Sequence, residues 1–299
     1  MADSDSVIVQ RQRVPLVAAP LEGRPTAAFT VDVEDWYQSC VDLDAPITER
    51  VVRNVDRIVE ILDDAGVKGT FFVQGRVAET FPRMLEELVS AGHEIQSHGY
   101  SHRSLFSLDR AALRDELERS VKSVEDACGR RVTAFRAPDF SILAGNLWAL
   151  ESLAEAGFVV DSSIFPQARP RYGIRDWDVA PQRLTLASGA HLLEVPVAVW
   201  GRRSVRLPVA GGGYFRVLPM GLVSRALRSI INEGRPVVVY CHPYEFAPDE
   251  LGDYRGRIPA RQRMHQGLGR HAIAKRTRRL LDVLPFGRFD ETLAAWGLT

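Results

Sequence analysis

Short apolar runs alternate with one-faced helical stretches along this chain, and that alternation admits few folds. The first run, Ala27-Ala28-Phe29-Thr30-Val31, stops at the acidic cluster Asp32-Val33-Glu34-Asp35. Val51, Val55, Ile58 and Leu62, joined by Val52 and Val59, then follow one buried helical face, with Gly66 where a C-cap belongs. Gly69-Thr70-Phe71-Phe72-Val73 reads as a buried strand. Met84, Leu85, Leu88 and Val89 mark a helix closed by Gly92, and His93-Glu94-Ile95-Gln96-Ser97 reads as the next strand. A third helix is expected from Ser107, as N-cap, to Cys128-Gly129, with a strand at residues 132–135 after it. Residues 147–156 and 158–160 repeat the pattern, and so do residues 222–231 and 236–240. The alternation implies a parallel sheet with helices packed outside it.

A chain of 299 residues accommodates one large α/β domain or two small ones, and no linker or repeat divides this one. Residues 1–26 are expected to be an irregular lead-in and residues 27–299 a single domain. Within it, residues 164–216 are richer in Pro, Gly and Arg, with weak strand signals at residues 192–199 and the run Gly211-Gly212-Gly213, and read as an elaborated insertion. Arg270, Lys275, Arg276, Arg278 and Arg279, beside Leu280, Leu281, Val283 and Leu284, suit a terminal helix whose charges form a solvated face.

Lys and Arg balance Asp and Glu at 38 each, so no overall field recommends nucleic acid or an anionic membrane as partner. Three widely spaced cysteines, Cys40, Cys128 and Cys241, read as free thiols in a reducing compartment. No segment approaches the roughly 20 apolar residues that span a bilayer, and no leader pattern opens the chain, which reads as cytoplasmic.

The strongest chemical signal is Ser97-His98-Gly99-Tyr100-Ser101-His102, directly after a predicted strand. On one helical turn, histidines at i and i+4 bring both imidazoles to one face, where they can hold a zinc-like ion. Alternation along a strand puts Asp32 and Glu34 on one face and Asp35 elsewhere, unless the chain turns there. Arg136-Ala137-Pro138-Asp139-Phe140, Asp161-Ser162-Ser163 and Cys241-His242-Pro243-Tyr244 likewise follow apolar runs. In α/β barrels such strand ends form the active site. Trp36, Tyr37, Tyr100, Phe140 and Tyr214 lie near these motifs, although each alone is more often packing.

In this order the motifs resemble the polysaccharide deacetylase superfamily, the NodB homology domain of carbohydrate esterase family four. Thr30-Val31-Asp32-Val33-Glu34-Asp35-Trp36, Arg136-Ala137-Pro138-Asp139-Phe140-Ser141 and Leu207-Pro208-Val209-Ala210-Gly211-Gly212-Gly213-Tyr214-Phe215-Arg216 are similar to its exopolysaccharide- and exosortase-associated subgroup, the last within a C-terminal extension from about residue 164. The resemblance implies a distorted (β/α) barrel of about seven strands. It also implies a divalent metal, zinc first with cobalt, nickel or manganese as alternatives, held by His98, His102 and Glu34, or Asp35 in its place. The family usually has two adjacent aspartates in its first motif, whereas here Val33 separates Asp32 from Glu34. By motif position Asp32 is the general base tuned by Arg136, and His242 the general acid oriented by Asp161. Trp36, Tyr100, Pro138, Asp139, Phe140 and Tyr214 are the implied substrate contacts.

The activity expected is metal-dependent hydrolysis of the acetamide of an N-acetylamino sugar. Polymer, nucleotide- or lipid-linked precursor and small glycoside all remain open as substrate, as does the oligomeric state. An allantoinase-like or cyclic-imide amidohydrolase of the same superfamily is the second reading, and an inactive carbohydrate-binding protein the third.

Overall fold

The computed structural model describes residues 7–15, 23–169, 172–202 and 205–299. Its strands are β1 (Ile8–Arg13), β2 (Ala27–Val33), β3 (Thr70–Val73), β4 (Glu94–Ser97), β5 (Ala134–Phe135), β6 (Val160–Asp161), β7 (Gln182–Leu186), β8 (His191–Glu194), β9 (Val199–Arg202), β10 (Val205–Pro208), β11 (Val237–Cys241) and β12 (Phe286–Gly287). The helices are α1 (Trp36–Cys40), α2 (Arg50–Asp64), α3 (Gly75–Thr80), α4 (Pro82–Ser90), α5 (Arg110–Cys128), α6 (Ala149–Glu155), α7 (Gly212–Val217), α8 (Met220–Asn232), α9 (Ala260–Gly267), α10 (Ile273–Leu281) and α11 (Phe289–Ala295).

The main sheet runs β1-β7-β8-β6-β5-β4-β3-β2-β11, with β12 also paired to β2. From β8 to β11 every pairing along this path is parallel. Every residue of β2 is buried, as both faces of a central parallel strand require. The ends of the parallel array are bridged through the chain beyond β8: Ala198 N–H donates to the Val238 carbonyl, and Tyr240 N–H to that of Ala210. The array is thus a distorted barrel. The Gly211 backbone lies so close to β11 that a Cβ there would overlap the Tyr240 carbonyl. The close approach that Gly211 permits is to a strand.

Helix α2 packs Val51, Val55, Ile58, Ile61 and Leu62 on the sheet, each worth roughly 1.5–3 kcal/mol when fully buried. Helix α5 starts at an Asp109 N-cap, two residues beyond the serine expected in that role, and ends at Gly129 in the left-handed region. The expected lead-in is not irregular throughout, because Ile8–Arg13 pairs antiparallel with β7. Residues 1–6 and 16–22 of that lead-in lie outside the described residues. Arg270, expected on a solvated face, is buried and donates to the carbonyls of Tyr244 and Gln266, both at 2.8 Å. Cys40, Cys128 and Cys241 are all free thiols. Among the described residues no helix is long and apolar enough to cross a membrane.

Candidate active site

Asp32 and Asp161 sit in β2 and β6, Glu34 directly after β2, and His98, Arg136 and His242 directly after β4, β5 and β11. Parallel strands all end on one side of a sheet, so register alone gathers these polar groups. Glu34, His98 and His102 form the innermost group, with one ligand atom from each lying within 4.8 Å of the others and all three side chains buried. The Glu34 Oε2 atom touches His102 Nε2 and lies 3.9 Å from His98 Nε2. His98 Nδ1 bonds the Arg136 carbonyl at 2.8 Å, which turns its Nε2 toward Glu34. Burial lowers the His98 pKa to about 4, against the pull of Asp32 and Glu34, and keeps the ring in its neutral, metal-binding form. Burial would raise the Glu34 pKa, but His102, His242 and His98 outweigh it and bring it to about 2. An ionised carboxylate and two inward-facing imidazoles, with Glu34 Oε2 otherwise lacking a hydrogen-bond partner, fit a divalent cation of the zinc type.

The histidine pair is not helical. It spans a loop in which Gly99 (φ 74°) and His102 (φ 65°) take left-handed conformations and bring the ring centroids to 5.4 Å. Glu116 of α5 holds this loop, its Oε1 accepting from Tyr100 N–H at 3.1 Å, Ser101 N–H at 2.6 Å and Ser101 Oγ at 2.9 Å. Asp35 points away from the histidines. It caps α1 through Tyr37 N–H at 3.1 Å and accepts from Thr48 N–H at 3.0 Å.

Asp32 Oδ1 accepts from Arg136 Nη1 at 2.7 Å. The guanidinium also donates to Thr30 Oγ1 at 2.7 Å and Ser162 Oγ at 3.2 Å, and stacks 4.2 Å over the Phe72 ring. His242 stands nearer the mouth, its side chain 20% exposed, with Nε2 3.9 Å from Glu34 Oε1. Its neighbour is not Asp161. Asp161 accepts from Ser163 Oγ and faces Glu194, and burial of these two carboxyls together raises both pKa values. His242 instead meets Glu245, whose Oε2 accepts from its backbone N–H at 3.1 Å and from Nδ1 at 3.3 Å. Burial would lower the His242 pKa, but the Glu245 hydrogen bond and the Glu34 charge override it and raise it to about 9. Glu245 stands three residues after His242 with Pro243 between them, a capping-box spacing visible in the sequence.

The expected sugar contacts divide. Trp36 is buried against Tyr254, ring centroids 5.2 Å apart, and is a packing residue. Tyr100 also packs, with its hydroxyl donating to Glu79 at 2.8 Å and Arg119 3.8 Å over its ring. Pro138 lies against Gly99, Asp139 is exposed, and Phe140 is buried edge-on to Tyr240. Tyr214 lines a cleft of about 500 Å³ shared with Tyr172, Tyr240, His242, Tyr244 and His265.

Residues 25–158 match the family model described as polysaccharide deacetylase, and residues 162–294 match one described as a domain of unknown function, DUF3473. Among curated proteins, a peptidoglycan deacetylase-like protein of Gibberella zeae is 36% identical over 37% of this chain and 32% of its own length. The Helicobacter pylori peptidoglycan deacetylase is 29% identical over 42% of this chain and 41% of its own. A chitin deacetylase of a Pestalotiopsis species is 28% identical over 50% and 54%. The chain thus spans between about a third and a half of these relatives' lengths. A Mycobacterium smegmatis protein assigned as a polysaccharide deacetylase shares the fold with a TM-score of 0.59, at 22% identity, covering 92% of this chain and 91% of its own. The PuuE allantoinase also shares it with a TM-score of 0.59, at 15% identity, covering 93% and 92%.

Proposed function

The chain carries a polysaccharide deacetylase domain over residues 25–158, and from that premise we propose that it hydrolyses the acetamide of an N-acetylamino sugar and releases acetate. The observation that carries the reading is the buried Glu34, His98 and His102 group set between Asp32 and His242. Amide carbonyls are weak electrophiles and water at neutral pH is a weak nucleophile, so a site must act on both. Glu34, His98 and His102 would hold a divalent cation, zinc before cobalt, nickel or manganese, which would supply Lewis acidity there.

Asp32 is the general base. Arg136 holds its Oδ1, which leaves the second oxygen to take a proton from the attacking water. His242, at the mouth and favoured in its charged form, gives a proton to the departing amine. Water enters as nucleophile, acetate leaves with its oxygen, and the amine keeps the proton from His242. The relatives named for deacetylating peptidoglycan and chitin support a glycan substrate over a ureide.

The test is acetate release from a panel of N-acetylglucosamine oligomers, peptidoglycan fragments and nucleotide-linked N-acetylamino sugars, with and without added zinc. Zinc-dependent acetate from one of these is expected. Turnover confined to allantoin or cyclic imides, or zinc-independent turnover, would overturn the reading.

A further inference from the structure

We infer that Glu245, and not Asp161, is the positioning residue for His242, and that Arg216 from residues 162–294 holds Glu245 in place. This inference rests on the reading of His242 as the general acid.

Glu245 accepts from both the backbone N–H and the ring Nδ1 of His242, so one carboxylate oxygen fixes the residue at two points. With the backbone and the ring of His242 tied to the same oxygen, the imidazole keeps one orientation, with Nε2 facing Glu34. The other carboxylate oxygen, Oε1, forms an ion pair with Arg216 Nε at 3.1 Å, at an angle too bent for a hydrogen bond. Glu245 and Arg216 are both buried, and a buried carboxylate needs such a partner to stay ionised. Arg216 is itself anchored through Nη1 to the Gln266 carbonyl, while the Tyr244 ring stacks on His242 at 5.0 Å and 11°. Asp161 instead accepts from Ser163 Oγ and lies beside Glu194. The second part of the chain therefore reaches the reacting centre through Arg216, Glu245 and His242.

Two measurements separate this inference from the functional reading. The first needs no substrate: the hydrogen-bonded ring N–H of His242, identified by its absence in His242→Asn, is followed by proton NMR. It is expected to vanish in Glu245→Ala and to remain in Asp161→Asn; persistence in Glu245→Ala, or loss in Asp161→Asn alone, overturns the inference. The second is turnover of whichever glycan the wild type deacetylates. Glu245→Ala is expected to lower kcat about 100-fold with KM within about threefold, as removal of one general-acid contribution does. Adding Arg216→Ala should lower kcat no further, because the two act as one unit. Additive losses, or a rise in KM alone, would assign Arg216 to substrate contact and overturn the chain of action. A wild type inert on every glycan defeats the functional reading and leaves the NMR outcome standing.

Discussion

At the scale of single residues, the site depends on opposite treatments of buried ionisable groups. Asp32 is paired at 2.7 Å with a guanidinium fixed by two hydroxyls and an aromatic face. Asp32→Asn retains an acceptor for Arg136 but not a base, so bound zinc per chain should stay unchanged while kcat falls by about 10²–10⁴. Metal analysis and acetate release on the same preparation check this. His93, away from the site, shows the converse treatment. Its Nδ1 accepts from Gly69 N–H at 3.0 Å, its Nε2 is buried without a partner, and burial lowers its pKa from 6.5 to about 4. The unfolded chain therefore binds this proton more readily than the folded one. Stability is full above about pH 6.5 and is lost as pH falls toward 4, by roughly 2–3 kcal/mol. His93→Gln keeps an acceptor for Gly69, and its urea midpoint should fall less between pH 7.5 and pH 4.5 than that of the wild type.

At the scale of elements, the strand ends were legible in the sequence and their supports were not. Asp32, Glu34, His98, Arg136 and His242 each follow or end an apolar run, and a parallel sheet must bring such positions to one side. The i, i+4 spacing of His98 and His102 suggested a helix, yet the pair lies on a loop shaped by two left-handed residues, one of them His102 itself. What holds that loop is Glu116, from the middle of an amphipathic helix where its spacing gives no sign of a role. Glu116→Ala leaves two backbone N–H groups without their acceptor, and zinc affinity should fall about 10- to 100-fold, as for other supports of metal ligands. Competition against a chromogenic chelator reads this directly, and an unchanged affinity would show that the loop holds itself. Trp36 and Tyr100 sit beside the motifs in sequence but turn into packing clusters, because position along a chain does not fix which way a ring faces.

For the whole molecule, the two family matches, at residues 25–158 and 162–294, do not correspond to two separable sheets. Strand β2 has β11 on one side and β3 and β12 on the other, and Trp296 Nε1 donates to the Thr26 carbonyl at 3.1 Å. The β1–β7 edge could not be read from residues 1–26 because its partner lies in the insertion, and pairing at that separation leaves no local pattern. A fragment ending at residue 160 lacks every strand on one side of β2 and should show no cooperative thermal transition by circular dichroism, whereas the full chain should. A sharp transition in the fragment would mean that the first region folds alone.

The pairing of β2 with β11 carries a consequence in time. Thr30 Oγ1 donates to the Val239 carbonyl at 2.7 Å across 209 residues of chain, and His242 follows that strand directly. Contacts of such separation form late, since most of the chain must be ordered before the ends of the loop meet. On a ribosome, residues 32–136 emerge well before residue 242. The nascent protein thus holds its candidate ligands and candidate base before strand β11 can bring in its candidate acid.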